Sequence, residues 1–531
     1  MYAANAIWFK IDLETFSVDH KGLEINELGS KALYYSGALG HLKSVEELAE
    51  SEYGQAIQVE ESTRTVAFGR DYLGHFPLLY ACTRRFLYIS DDFGELLRAL
   101  RLEGIQPRIS DEAIALYFST GYLPQGLTLY REVVSCEGAS LYRWRKGRVT
   151  KTSLFKPIEI DEKFPLEELG RALESEVKKA VGSHRNLDIW CSGGLDSSII
   201  ACCAARAGCA ATLLTLGYGP SIQALYGDGE QFFVREVSKA YGLPMREISL
   251  APNVFKDVYR LYMQVHNAPA IDTPVAPKYA LAAASDRIVL TGEGGDNFFG
   301  GPKNNTMLYA RQRRPDVPLG WLYAVAHNRW ANRLGDLLKR GDVLKGYVAE
   351  YFESVFDFFP GDLLRKLFYV NGLFKPASMI YAQSYYPSRI HDISIRHPMA
   401  SLSVYKAAFA LPESKKYDYP RNKIALVDLY GKMLPQKIVV RKKSGTLVPL
   451  KLCLKSLPDD AFELEQLAKT DILQEDLLER VRRKRGEQMD TLLVYGLVTL
   501  NYWLEQKGDH YARRVPIETR DYRRPDVEVR V

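Results

Sequence analysis

Leu187-Asp188-Ile189-Trp190-Cys191-Ser192-Gly193-Gly194-Leu195-Asp196-Ser197-Ser198 runs directly into Ile199-Ile200-Ala201-Cys202-Cys203-Ala204-Ala205-Arg206-Ala207-Gly208. The short apolar run before Ser192 predicts a buried strand. The small and apolar residues after it predict a helix that ends at Gly208, a residue suited to a helix C-cap. A strand that enters a helix through Ser-Gly-Gly gathers backbone N–H groups and the positive end of the helix at one point, which makes a cradle for phosphate. Gly193 and Gly194 let the main chain approach the anion, Ser192, Ser197 and Ser198 carry hydroxyls, and Asp196 can hold a cation against the phosphates.

A lone Ser-Gly-Gly is an ordinary tight turn. The full Ser-Gly-Gly-x-Asp-Ser-Ser string between strand and helix resembles the pyrophosphate loop of the ATP pyrophosphatases, which split ATP into AMP and pyrophosphate to activate a carboxylate or carbonyl. A Walker loop would need Gly-Lys-Ser/Thr, and that pattern is missing here.

Working outward, further strands are predicted at Ala211–Leu216, Met245–Leu250 and Arg287–Thr291, with an amphipathic helix over Glu230–Tyr241 and a helix over Leu166–Val181 leading into the loop. Strands alternating with helices of this length imply a parallel α/β sheet covered on both faces. ATP is expected across the C-terminal strand ends, with Leu216, Ile248 and Gly292 beside it. The fourth strand delivers a second glycine-rich turn, Thr291-Gly292-Glu293-Gly294-Gly295-Asp296-Asn297-Phe298-Phe299-Gly300-Gly301. Two carboxylates plus phosphate oxygens suit a hard octahedral cation, so Asp196 and Asp296 are the candidate ligands of a shared Mg²⁺. The second turn resembles Gly-Glu-Gly-Ala-Asp-Glu-Leu-Phe-Gly-Gly of asparagine synthetases, and its Gly-Gly-Asp-Asn variation is more similar to lasso-peptide cyclases.

Residues 1 to about 155 alternate short apolar runs with turn residues, among them Ala6–Phe9, Ala32–Tyr35, Thr65–Phe68, Pro77–Tyr80 and Phe86–Ile89. This spacing predicts a β-rich layered domain with a few helices. Gly69-Arg70-Asp71-Tyr72-Leu73-Gly74-His75-Phe76-Pro77-Leu78-Leu79-Tyr80 resembles the Arg-Asp-x-x-Gly-x-x-Pro-Leu-Tyr region of the glutaminase domain of asparagine synthetases, and Arg131 to Arg148 resembles its closing hairpin. The resemblance implies an αββα domain of the N-terminal-nucleophile type. Such a glutaminase uses an N-terminal cysteine as nucleophile and base, whereas position 2 here is Tyr2 and the first cysteine is Cys82. Ammonia release from glutamine is therefore not expected, and a structural or peptide-docking role is.

Downstream, residues 305 to 390 read as mostly helical, with aromatics that suit helix packing. Arg396-His397-Pro398-Met399-Ala400-Ser401 and a helix over Val404–Leu411 resemble the Arg-x-Pro-Phe-Leu-Asp segment of asparagine synthetases and the His-Pro segment of β-lactam synthetases and lasso cyclases. Arg441-Lys442-Lys443-Ser444-Gly445 resembles the family's Arg-x-Lys-x-Gly loop. The resemblance makes Lys443 the candidate for neutralising charge that builds up in the transition state, with Arg441 second. In β-lactam synthetases a tyrosine occupies the position of Glu293 and pairs with a downstream glutamate. Tyr381–Tyr386 offers no such glutamate, which leaves Glu293 itself as base or orienter.

At 531 residues, with 47% hydrophobic and 25% charged residues, the chain is large enough for two or more cores. The expected division is 1–158 glutaminase-like, 159–510 synthetase and 511–531 a basic, partly disordered tail. A net charge of +5 does not call for a nucleic-acid partner, and seven cysteines without a Cys-x-x-Cys pair speak against a disulfide framework or structural zinc. Lys10, Asp12 and Glu14 come too early for a signal-peptide core, and no run of about 18 apolar residues predicts a membrane span, so a cytoplasmic enzyme is expected. Together these features predict an AMP-forming carbon–nitrogen ligase using ATP and Mg²⁺. Its substrate would be a peptide or an amino-acid-like molecule closed into a ring by its own amine, as in lasso-type macrolactam formation, with a leader-peptide protease as partner. Amidation with free ammonia, β-lactam synthesis and tRNA modification are the alternatives.

Overall fold

The computed structural model describes residues 6–28, 30–37, 39–182, 186–217, 229–250, 252–328, 330–441, 448–484 and 489–508. Tyr2, Lys443 and the 511–531 tail, each named above, lie outside these residues.

The N-terminal part stacks two antiparallel sheets. One has five strands in the order Val18–Lys21, Trp8–Asp12, Phe86–Ser90, Leu79–Cys82, Val134–Ser135. The other has six, running Arg148–Ser153, Ser140–Arg145, Thr65–Arg70, Gly54–Glu60, Lys31–Gly37, Glu24–Leu28. Strand side chains alternate between faces, so Phe9, Ile11, Leu87 and Ile89 of the first sheet meet Ile57, Phe68, Tyr142 and Trp144 of the second in one apolar layer. The outer face of the six-stranded sheet is capped through Leu33, Ala56, Ala67 and Leu141 by the short 3₁₀ turn Val45–Glu50. The outer face of the other sheet packs Leu79, Ala81 and Tyr88 on the helix Phe93–Leu102.

A five-stranded, wholly parallel sheet follows, in the order Met245–Ser249, Ala210–Gly217, Asn186–Trp190, Ile288–Thr291, Ser394–Arg396. The first four strands stand where periodicity puts them. The fifth, three residues long, was not foreseen: it is too short to carry a periodic signal and exists because Ile288–Leu290 offer it an edge. The helices Leu166–Val181, Leu195–Arg206, Gly229–Tyr241 and Val275–Ala284 accompany the sheet. In chain order the strands are arranged 3-2-1-4-5, so the winding reverses between Asn186–Trp190 and Ile288–Thr291. A crevice opens at the C-terminal strand ends at such a reversal.

The described residues between 302 and 391 are mostly helical, as expected, and include wide π-type turns over Val370–Phe374 and Pro376–Ile380. Two buried side chains join the N-terminal part to the rest. The Arg70 guanidinium donates to the Ala377 carbonyl at 3.2 Å and to Gln125 Oε1 at 3.1 Å, while Asp91 takes both Tyr385 and Arg389. The largely buried helix Thr491–Lys507 closes the core, and Tyr117 donates to its Gly496 carbonyl. No helix among the described residues is long and apolar enough to cross a membrane.

Candidate active site

The strand Asn186–Trp190 ends in Cys191 and Ser192, and the helix Leu195–Arg206 begins three residues later. Gly193 makes the turn at φ +65°, with Phe233 so close that a Cβ would lie 2.4 Å from the Phe233 Cβ. The serines fold the loop on itself. Ser197 Oγ accepts the Ser192 N–H at 3.2 Å and donates to the Gly194 carbonyl at 3.2 Å, and Gly194 N–H donates to Ser192 Oγ at 3.3 Å. The first-turn amides of the helix lack intrahelical acceptors and face outward with the positive end of the dipole.

The second loop leaves the neighbouring strand, Ile288–Thr291, and lies directly against the first. A Cβ on Gly292 would stand 2.6 Å from the Ser197 backbone nitrogen, and one on Gly295 would stand 2.3 Å from Asp196 Cγ. Only glycine permits this interlock, which seats Asp196 beside the helix that carries Asp296. Among the described residues no group of three His, Cys, Asp or Glu side chains could hold a metal ion by itself. Asp196 Oδ1 is buried without a hydrogen-bond partner, however, and the pair fits a Mg²⁺ ion that takes its remaining ligands from water and phosphate.

A lysine that the sequence reading did not single out stands between these carboxylates. Lys423 Nζ lies 2.5 Å from Asp196 Oδ2 and 2.6 Å from Asp296 Oδ1, and the two carboxylates hold its ammonium above the usual lysine range against the effect of burial. No local signal marks Lys423; only folding brings it 227 residues back to the first loop.

Both loops open into one cavity of about 710 Å³. Of the predicted residues, Ser192, Gly194, Asp196, Ser197, Leu216, Gly292, Glu293, Asp296 and Arg441 line it. Gly193, Ser198 and Ile248 are not among the lining residues: Gly193 shapes the turn against Phe233, Ser198 is fully buried within the helix, and Ile248 is buried in the core. Arg441 donates to the Ser192 carbonyl at 2.9 Å and stacks on Phe233. Burial pushes Glu230, also on the wall, up to about 7, with Arg441 opposing the rise.

Glu293 has a partner that sequence did not reveal. Lys278, on the helix Val275–Ala284, donates at 2.8 Å to Glu293 Oε1 and at 2.8 Å to Gln383 Oε1, and Gln383 in turn donates to Asp272 Oδ2 at 2.6 Å. His397 stands behind this wall, buried. Its Nδ1 is 2.6 Å from Thr291 Oγ1 and its ring is stacked on His75. Burial holds it far below the usual histidine range, so it is a neutral brace for the second loop.

The asparagine synthase family model matches residues 168–505, a span that contains both loops, Lys423 and the whole parallel sheet. Asparagine synthetase (glutamine-hydrolyzing) 1 of Bacillus subtilis strain 168 is 23% identical over 433 residues, 73% of this chain and 66% of that protein. A Methanocaldococcus jannaschii protein provisionally named asparagine synthetase (glutamine-hydrolyzing) 2 is 24% identical over 242 residues, 44% of this chain and 46% of its own length. A Mycobacterium bovis protein with a similar provisional name is 26% identical over 255 residues, 45% and 38% of the two chains. The matches thus span two thirds or less of these relatives. The model covers well over half of this chain, including every element that builds the crevice, and the chain belongs to the asparagine synthase family.

Proposed function

We propose that this chain is an ATP-dependent, amide-forming ligase. A substrate carboxylate attacks the α-phosphorus of ATP, pyrophosphate leaves, and an amine then attacks the acyl-adenylate and expels AMP. The observation that carries this reading is the interlock of the two loops across the strand reversal, with Asp196 and Asp296 at one point over a single cavity.

In this reading the first-turn amides of Leu195–Arg206 and the hydroxyls of Ser192 and Ser197 bind the departing pyrophosphate. Arg441 and, from outside the described residues, Lys443 offset charge at the reacting phosphate. Asp196 and Asp296 would hold Mg²⁺, which when bound neutralises phosphate charge. Glu293 accepts the proton of the attacking amine, and Lys278 orients its carboxylate. The crevice holds both reactants together, and bound substrates would displace the water that would hydrolyse the adenylate.

For the amine we favour one on the same substrate, as in lasso-type macrolactam closure of a peptide by its own N-terminus on an Asp or Glu side chain. One feature supports this: Glu293 takes Lys278, which also donates to Gln383, instead of forming the tyrosine–glutamate pair of a β-lactam synthetase. The N-terminal part (1–158) then serves as a scaffold or peptide-docking surface on the synthetase part (159–510). The relatives' name, asparagine synthetase, favours a second reading, in which aspartate is amidated, here with free ammonia. Pyrophosphate release with candidate peptides, with aspartate plus ammonia and with tRNA separates these cases, together with peptide mass spectrometry for loss of one water. Release with peptide and a dehydrated product is expected. Release with aspartate and ammonia alone overturns ring closure, and release with tRNA alone overturns the amide ligase.

A further inference from the structure

We infer that Lys423 is a built-in cation that occupies the seat between Asp196 and Asp296 until nucleotide arrives, so that divalent metal enters this site only together with the triphosphate. The inference rests on the ligase reading and concerns how its metal is admitted.

Three observations lead here. First, the ammonium is in contact with both carboxylates at 2.5 and 2.6 Å, so it fills the bridging position a shared ion would take. Second, the lysine is delivered rigidly. Its residue is buried and left-handed at φ +55° at the start of the helix Ile424–Tyr430, and its N–H donates to the Phe299 carbonyl at 2.9 Å, at the end of the short helix that carries Asp296. Third, Asp196 keeps a second oxygen, Oδ1, buried and without a hydrogen-bond partner. That is a lone pair the lysine does not use and a metal could.

The charge balance supplies the order of events. The ammonium offsets charge on both carboxylates and occupies the point between them. A free Mg²⁺ ion, which gives up water reluctantly, gains little from displacing an ammonium already so well paired. A triphosphate changes this. It brings several negative charges and oxygen acceptors to the mouth of the first loop, gives the lysine a new partner, and carries its own metal to the two vacated carboxylates. Lys423 would then be a phosphate ligand in the loaded site and a plug in the empty one, protecting the crevice from loose divalent ions.

The test uses Mn²⁺ as the probe and no nucleotide. Free Mn²⁺ is followed by its electron paramagnetic resonance signal during titration with the full chain. Lys423→Met should bind Mn²⁺ at least about tenfold more tightly than the wild type, because no ammonium then occupies the point between the two carboxylates. The double variant Lys423→Met, Asp296→Asn should lose that binding. Equal affinity in wild type and Lys423→Met, or tight binding that survives Asp296→Asn, overturns the inference. A melting curve checks that Lys423→Met folds. A second measurement needs no change at the site: the side-chain signal of isotope-labelled Lys423 in the wild-type chain, assigned by its loss in Lys423→Arg. It should stay in place with Mg²⁺ alone and move with Mg²⁺ plus a non-hydrolysable ATP analogue. Movement with Mg²⁺ alone overturns the inference. Failure to bind the analogue refutes the ligase reading instead, while the Mn²⁺ comparison still decides what the lysine does.

Discussion

Gly295 lacks a side chain because Asp196 occupies the space where one would project. An alanine there must push the Asp196 carboxylate out of line with Asp296 and the first loop. Displacement of reacting groups by about 1 Å can cost on the order of 100-fold in rate, so Gly295→Ala should lower pyrophosphate release by about that factor while the far-ultraviolet spectrum stays that of the wild type. Glu293 is a different case, since Lys278 orients it and nothing in the first loop depends on it. Glu293→Gln should leave adenylate formation, trapped with hydroxylamine, near the wild-type rate and slow amide formation about 100-fold, as loss of a general base does. Equal loss of both half-reactions would show that Glu293 acts in adenylation instead. At this scale the sequence was informative about residues inside the two loops and silent about their partners. Ser192, Asp196 and Asp296 sit in strings whose composition has few other uses, whereas Lys278 lies on a plain helix and Lys423 on the left-handed residue just before one.

At the scale of elements, Asp188 ties three strands together. Its carboxylate accepts the Asp286 N–H at 2.6 Å just before the fourth strand, and Arg246 of the outer strand lies 3.7 Å away. Burial pushes Asp188 up to about 6, with the Asp286 amide and Arg246 opposing. A carboxyl whose folded value lies above its unfolded one holds its proton more tightly when folded, so its contribution to stability is greatest in acid and is lost as pH rises from about 4 to about 6. Asp188→Asn does not titrate. Its melting temperature relative to the wild type should therefore climb across that window, by an amount worth up to about 3 kcal/mol, and level off above it. A flat difference would show that the carboxyl is not perturbed. Strand runs such as Leu213–Leu216 and Val289–Thr291 were legible because they are predominantly apolar, as suits strands buried on both faces. Ser394–Arg396 was not, because three residues hold no period and the edge it joins is supplied by a strand a hundred residues earlier.

For the molecule as a whole, the two parts are joined by buried polar contacts rather than by a flexible tether. Arg70→Ala removes the donor to Ala377 and Gln125 and leaves a void, which should cost about 2–4 kcal/mol in a denaturant melt. A loss below about 0.5 kcal/mol would mean that the staple is incidental. Acid should weaken the same core. Burial drives His266 down to about 3, and it drives His327 and His397 well below the usual histidine value. Groups of this kind take up protons only on unfolding, so the stability they permit is complete above pH ~6.5 and falls as pH drops towards the folded value. His266→Gln should make the melting temperature fall less steeply between pH 6.5 and 4 than in the wild type.

Local order was written in the chain itself: apolar runs, glycine turns and helix starts depend on neighbours a few residues away, and from them followed the parallel sheet, the two loops and the expectation of a nucleotide at their ends. What the loops face was decided by tertiary structure alone. Lys423 reaches Asp196 across 227 residues, and Lys278 reaches Glu293 from another helix. Charge compensation in a crevice depends on distance in space, which spacing along the chain does not encode. Two carboxylates brought together at a strand reversal must find a cation wherever the fold can supply one.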